Sequence, residues 1–188
     1  MNMNWGECYY DHYTRFLDHL LDRKIFRQNN NLPSVQILSY DKVFKDCQVF
    51  CSLGLSHYSS DIGGVAEVCL PVDDGWKDVP YVLANALFFM VQNGMTMGWG
   101  LSISGIERIS TQFANNFNKA AIYFTNVFGL PEEFSKVKCG DGTGKMYLAI
   151  FISEAEHRFF KQHGAEAFEE LLDVKKVDPF SLQRSSCV

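Results

Sequence analysis

Between Pro80 and Gly94 the chain reads Pro-Tyr-Val-Leu-Ala-Asn-Ala-Leu-Phe-Phe-Met-Val-Gln-Asn-Gly, without a single charge. Asp78 is placed to cap a helix, Pro80 suits its first turn, and Asn93-Gly94 suits a left-handed exit. A helix apolar on nearly every side is covered by protein or by lipid. Its apolar core, Val82 to Val91, is interrupted by Asn85 and is too short to cross a bilayer. The pattern therefore predicts a buried helix that other elements wrap.

Upstream, Tyr10, Tyr13, Phe16, Leu17, Leu20 and Leu21 keep a helical stripe, with Asp11, Arg15, Asp18 and Asp22 opposite. Asn4 and Glu7 have the spacing of a capping box in front of it. Asn29-Asn30-Asn31 before Leu32-Pro33 marks a loop. Val35 to Tyr40, Cys47 to Leu53 and Val65 to Val72 alternate like strands. The polar, glycine-rich stretch from Ser56 to Gly64 predicts an exposed hairpin loop, and Asp73-Asp74-Gly75 a turn.

Downstream, Ala120 to Val127 reads as a strand, and Lys145 to Ile152 as a central strand covered on both faces. Ser153-Glu154-Ala155-Glu156 is a capping box opening a helix through Phe159 and Phe160. Gly164 interrupts it, and Ala165 to Leu172 forms a second helix with Phe168, Leu171 and Leu172 inward. Met95 to Ser102 is glycine-rich yet carries Met95, Met97 and Trp99, which suits a core lining or an adaptable contact surface. These elements predict one α+β domain over residues 1–188, a mixed and mostly antiparallel sheet packed by helices.

With 188 residues the chain can bury a sizeable core, and 47% hydrophobic residues exclude a disordered chain. The net charge of −5 disfavours nucleic-acid binding and suits a basic partner. No signal-peptide pattern or membrane-span run is present, so the expected location is cytoplasmic. Six cysteines without a C-x-x-C pair read as reduced thiols, with Cys47, Cys51 and Cys69 inside apolar strands.

Chemistry-bearing motifs are few in the chain. Gly140-Asp141-Gly142-Thr143-Gly144-Lys145 resembles a phosphate loop, but Met146 follows the lysine and the run enters a strand, so a hairpin turn is predicted. Cys8 and His12 lie four apart without a second ligand pair, and His19, His157 and His163 read as surface. Ser56 and His57, as neighbours, point apart. Asp73-Asp74, Glu132-Glu133 and Glu169-Glu170 read as solvated turns or outward helix faces. No catalytic residue, cofactor or metal ligand is predicted.

Ser52-Leu53-Gly54-Leu55-Ser56, Glu67 with Leu70-Pro71, Trp76, Leu83 to Met90 and Gly94 follow one another in an order that resembles the suppressor-of-fused (SUFU) domain family. Met146 to Ile152 with Ser153-Glu154-Ala155-Glu156, then Gly164, Leu171-Leu172 and Arg184-Ser185, extend the resemblance, which is strongest over residues 45–188. It implies a SUFU-like fold and a binding protein rather than an enzyme. Bacterial single-domain members look like cytoplasmic immunity proteins that neutralise polymorphic toxins. Animal members carry a further C-terminal domain and hold a transcription factor. Because this chain stops after the first domain, the expected role is that of an antitoxin against a cognate toxin, and the net negative charge would suit a basic one such as a nuclease. An adaptor that sequesters a transcription factor is the alternative, and an unrecognised enzyme the third reading. In the animal members the partner peptide follows the segment equivalent to Met95–Leu101; here Met97, Gly98 and Trp99 stand where an acidic residue is expected. The candidate partner contacts are His57, Tyr58, Asp61, Met97 and Trp99, without membrane or direct nucleic-acid contact.

Overall fold

Among the residues that the computed structural model describes (4–17, 19–29, 32–44, 47–73 and 76–188), eight strands pair into one sheet. The expectations placed on Asp18, Asn30, Asn31, Asp74 and Gly75 fall outside those residues. The strands are β1 (Leu20–Phe26), β2 (Val35–Phe44), β3 (Cys47–Leu53), β4 (Ala66–Val72), β5 (Leu101–Ser104), β6 (Ala121–Asn126), β7 (Lys136–Cys139) and β8 (Gly142–Ile152). Their order is β1-β2-β3-β4-β8-β6-β5, with β7 pairing the first residues of β8. Every pairing is antiparallel except β4 with β8. This is the α+β, mixed and mostly antiparallel sheet that the patterning predicts.

The helices are α1 (Trp5–Phe16), α2 (Val79–Gln92), α3 (Ile106–Ile109), α4 (Thr111–Phe117) and α5 (Glu154–Val174). One face of the sheet, with Ile37, Phe50, Val68, Leu70 and Phe124, packs against α2 and α4. The other, with Val49, Cys69, Tyr123, Leu148 and Ile150, packs against α1 and α5. β8 meets apolar side chains on both faces, which is why its sequence is continuously hydrophobic.

Helix α2 is buried along Val82, Leu83, Ala86, Leu87, Phe88 and Met90. Burying a Leu or Phe side chain contributes about 1.5–3 kcal/mol. That outweighs the helix-propensity penalty of its Val and Phe residues, below about 0.7 kcal/mol each. The wrapping is incomplete along one stripe, where Tyr81 and Phe89 are exposed beside half-buried Asn85. Asp78 makes no side-chain cap; its Oδ2 accepts from Ser110 Oγ at 3.3 Å. Gly94 takes the left-handed exit, with φ +57°.

Three further expectations are corrected. Helix α1 stops at Phe16, and Leu20 and Leu21 belong to edge strand β1, whose pairing with β2 overrides the apparent helical spacing. The residues α1 buries fully are Tyr9 and Tyr13, not Tyr10. Their hydroxyls donate to Lys145 O at 3.0 Å and Ser52 O at 2.6 Å. Cys8 is no free thiol: α1 lays it against the end of β7, where it forms a disulfide with Cys139 across 131 residues of sequence. Cys47, Cys51 and Cys69 are buried in their strands as expected.

Gly140-Asp141 forms the tight turn between β7 and β8, so the glycine-rich run is a hairpin. Gly144 within it has a steric role. A β-carbon there would lie 3.0 Å from Tyr9 Cζ and 3.1 Å from Trp5 Cζ3. Gly144→Ala is expected to cost about 1–3 kcal/mol in urea unfolding. Adding Tyr9→Phe, which removes the nearest atom, should recover part of that loss; fully additive costs would contradict the steric account.

Ser153 Oγ and the Glu156 side chain complete the capping box at the start of α5. Gly164, with φ +87°, breaks the helix where the sequence predicts. Beyond α5 the chain returns across the molecule as a strap. Asp73 N donates to Phe180 O at 3.1 Å, and Leu182 N to Asp73 Oδ1 at 2.8 Å. The Arg184 guanidinium forms a buried ion pair with Glu156 and reaches Phe151 O at 3.1 Å. Burial alone would raise the Glu156 carboxyl. Arg184 and the backbone N–H groups of Ser153 and Cys187 outweigh it and hold the group at about 2. Lys119, whose ammonium donates to Arg184 O, is lowered by burial and by the Arg184 charge to about 8.

Candidate functional site

The stretch from Ser56 to Gly64 links antiparallel β3 and β4 with His57, Ser60 and Asp61 exposed, as a hairpin loop would, but Ser56, Tyr58 and Ile62 are buried and fold it into a cap. Glu67 on β4 organises it. Its fully buried carboxylate accepts from Ser52 Oγ at 2.6 Å and from the backbone N–H groups of Gly54 (2.8 Å), Leu55 (3.2 Å) and Ser56 (3.0 Å). Those amides open a short 3₁₀ turn over Leu55–Tyr58, whose first N–H groups have no partner of their own. Burial pushes the carboxyl up, against the Ser52 hydroxyl and the backbone donors that pull it down. Tyr58 is buried and donates to Pro33 O at 2.6 Å, so this candidate contact is a core residue that shapes the surface above it.

The cap carries the segment after α2. Met97 N donates to Ile62 O at 2.9 Å, and Gly63 lies so close to Thr96 that a β-carbon would fall 2.8 Å from Thr96 Cγ2. Met97 is buried as core lining, while Trp99 is 49% exposed. The Trp99 indole is nevertheless held: its Nε1 donates to Glu169 Oε1 at 2.8 Å. The same oxygen accepts from Tyr123 Oη at 2.8 Å and Thr125 Oγ1 at 2.6 Å. Burial and the Glu169 carboxylate push the Tyr123 hydroxyl well above the usual tyrosine range.

Two of the predicted stretches therefore join into one surface, running from exposed Asp61 through Thr96 to Trp99 and the second half of α5. His57 is exposed elsewhere, in a cleft of about 450 Å³ lined by Gly6, Tyr10, Arg23 and Gln36. Glu169 is the residue that sequence reasoning misses. Its pairing with Glu170 predicts an outward side chain, yet it points to β6. Ala165, Phe168, Glu169 and Leu172 share one helical stripe, and that spacing was the available signal.

Ser56 is buried and His57 exposed, so they form no dyad, as expected of neighbours. A different pair meets across 55 residues: Ser102 Oγ lies 3.1 Å from His157 Nε2. That spacing suits a nucleophile and base, but Ser102, on β5, is buried against α5, and the contact acts as a strut. His12 Nε2 lies 3.0 Å from Phe134 O, while its helical neighbour Cys8 is in the disulfide. Among the described residues no group of three His, Cys, Asp or Glu side chains is placed to hold a metal ion. No described helix is long and apolar enough to cross a membrane.

The arrangement has solved counterparts. A SUFU homologue from Neisseria gonorrhoeae FA 1090 superposes with a TM-score of 0.73 at 16% identity, over 98% of this chain and 97% of that one. A chain of the Sufu–Fu complex gives 0.62 at 12% identity, over 97% and 90%. Drosophila Suppressor of Fused gives 0.54 at 10% identity, over 97% of this chain but 50% of that protein. In sequence the chain is 22% identical over 166 residues to Immunity protein YqcF of Bacillus subtilis (strain 168), covering 85% of each. The family model for Suppressor of fused protein (SUFU) matches residues 31–185, and the chain belongs to that family.

Proposed function

We propose that this protein is an immunity protein that binds a cognate toxin in the cytoplasm and blocks it by occupancy, without turnover. The likeness to the Bacillus immunity protein over 85% of both chains carries this reading. The surface from Asp61 to Trp99 supplies a means. Trp99 offers a half-exposed aromatic anchor that Glu169 already orients, so little ordering is left for binding to demand. Beside it, α5 carries Glu166, Glu170 and Asp173 outward. With the net charge of −5, that suits a toxin with a basic face, such as a nuclease.

Co-expression with toxin candidates encoded by neighbouring genes tests the reading: rescued growth and a stable co-purified complex are expected with one of them, and neither appearing with any would end it. Trp99→Ala should weaken the complex by about tenfold or more while leaving the fold in place. An unchanged Kd would move the interface elsewhere, with the His57 cleft next in line. The second reading, an adaptor that sequesters a regulatory protein such as a transcription factor, draws on the fold shared with the Sufu–Fu complex. A pull-down returning a transcription factor instead of a toxin would favour it.

A further inference from the structure

We propose that the Cys8–Cys139 disulfide is a reversible staple, opened from the groove beside α1 by a dithiol reductant of the thioredoxin class. Cys8 lies near the start of α1 and Cys139 ends β7, with their Cα atoms 5.6 Å apart. A groove of about 830 Å³ runs past Cys8, bordered by Asp11, Arg15, Glu132, Lys136 and Lys138. Cys8 is half-buried and faces that groove, whereas Cys139 is 4% exposed. An incoming thiolate therefore reaches one sulfur, that of Cys8, and Cys139 is the leaving group.

The chain's other cysteines argue against a permanent cross-link. Cys51 and Cys69 face each other across β3 and β4, both buried, and remain thiols; Cys187 is also a thiol. A protein that keeps facing cysteines reduced has the cysteine usage of a reducing compartment, where lasting disulfides are rare and those that form are transient. The groove-lining pair is the one placed for exchange.

The exchange balances without further reagents. A thiolate of the reductant attacks Cys8 Sγ, the Cys8–Cys139 bond breaks, and Cys139 leaves as a thiolate that takes up a proton. The second thiol of the reductant, deprotonated, then attacks the mixed disulfide. Cys8 is released and protonated, and the reductant departs as its own disulfide. Two electrons and two protons have entered the protein. Asn4 O, 3.7 Å from Cys139 Sγ, is ready to accept from the new thiol. The Tyr9 and Tyr13 hydroxyl bonds still tie α1 to Lys145 and Ser52, so reduction loosens the helix without ejecting it.

The test uses the intact protein with thioredoxin, its reductase and NADPH, followed by mass spectrometry with thiol labelling and by hydrogen exchange. Under native conditions two new thiols should appear, at Cys8 and Cys139. Exchange of the α1 amides should rise by about tenfold or more while the central strands stay protected. Closing so long a loop stabilises by constraining the unfolded chain, so Tm should fall by roughly 10 °C on reduction. Cys8→Ser should show the fast α1 exchange without reductant and no further response, and Cys187→Ser should behave as the wild type. Reduction that proceeds only after global unfolding would overturn the proposal. So would reduction that leaves α1 exchange unchanged, or thiols at Cys8 and Cys139 that glutathione disulfide fails to join in the folded protein.

Discussion

Replacing Glu67 with alanine should destabilise the protein by about 3–5 kcal/mol, because it strips a buried acceptor from four donors at once. The Ser52 hydroxyl and the amides of Gly54, Leu55 and Ser56 all end on this carboxylate, and none has water to turn to. In a chain of this length that loss corresponds to a fall in Tm of roughly 10 °C. Glu67→Gln keeps the shape but turns an NH2 group toward N–H donors, so it should still cost about 2 kcal/mol. Hydrogen exchange should show residues 54–62 opening first in both variants, and with them the Met97–Ile62 bond that carries the proposed partner surface. A Tm within about 2 °C of the wild type for Glu67→Ala would refute the role assigned to this group.

The second large effect lies at the strap. Glu156 is held at about 2 in the folded protein against an ordinary 4.5, so the folded state binds fewer protons than the unfolded chain between those values. Its contribution is complete above pH 4.5 and is lost as pH falls from there toward 2. The full difference is on the order of 3 kcal/mol. Arg184→Met should cost about 3–5 kcal/mol at neutral pH, since it leaves a buried carboxylate without its cation. Burial then dominates and raises Glu156, so the variant gains from protonation where the wild type loses. The gap between the two urea midpoints should therefore shrink steadily between pH 7 and pH 3. A gap that stays constant would mean that the ion pair is not the source of the difference.

Much of this architecture is legible in the chain because local signals and burial agree. The uncharged run of α2, the unbroken apolar run of β8, the Ser153–Glu156 box and the Gly164 interruption each place an element whose neighbours then follow. Legibility fails where a partner far along the chain decides the outcome. Leu20 and Leu21 keep helical spacing, yet β2 draws them into an edge strand. The Ser56–Gly64 stretch reads as solvated throughout, yet several of its backbone amides and the Tyr58 hydroxyl end on Glu67, Pro33 and one another, while His57, Ser60 and Asp61 stay exposed. Cys8 and Cys139 carry no spacing that announces their pairing. Of the five candidate contacts, the structure leaves His57, Asp61 and Trp99 at the surface and takes Tyr58 and Met97 into the core. Short polar-aromatic stretches do not reveal which aromatic side chains pack inward.

The parallel junction of β4 with β8 also bears on how the molecule assembles. β1 to β4 form a meander of local hairpins, but Ala66 must wait for Lys145, on a strand made much later. Pairing over such a separation delays closure of the sheet and favours folding on a millisecond-to-second scale over microseconds. During synthesis the inner rim of β4, wholly apolar apart from Glu67, stays open until the ribosome delivers its mate. A nascent chain stalled before residue 145 is thus expected to be a chaperone client, and the finished one is not.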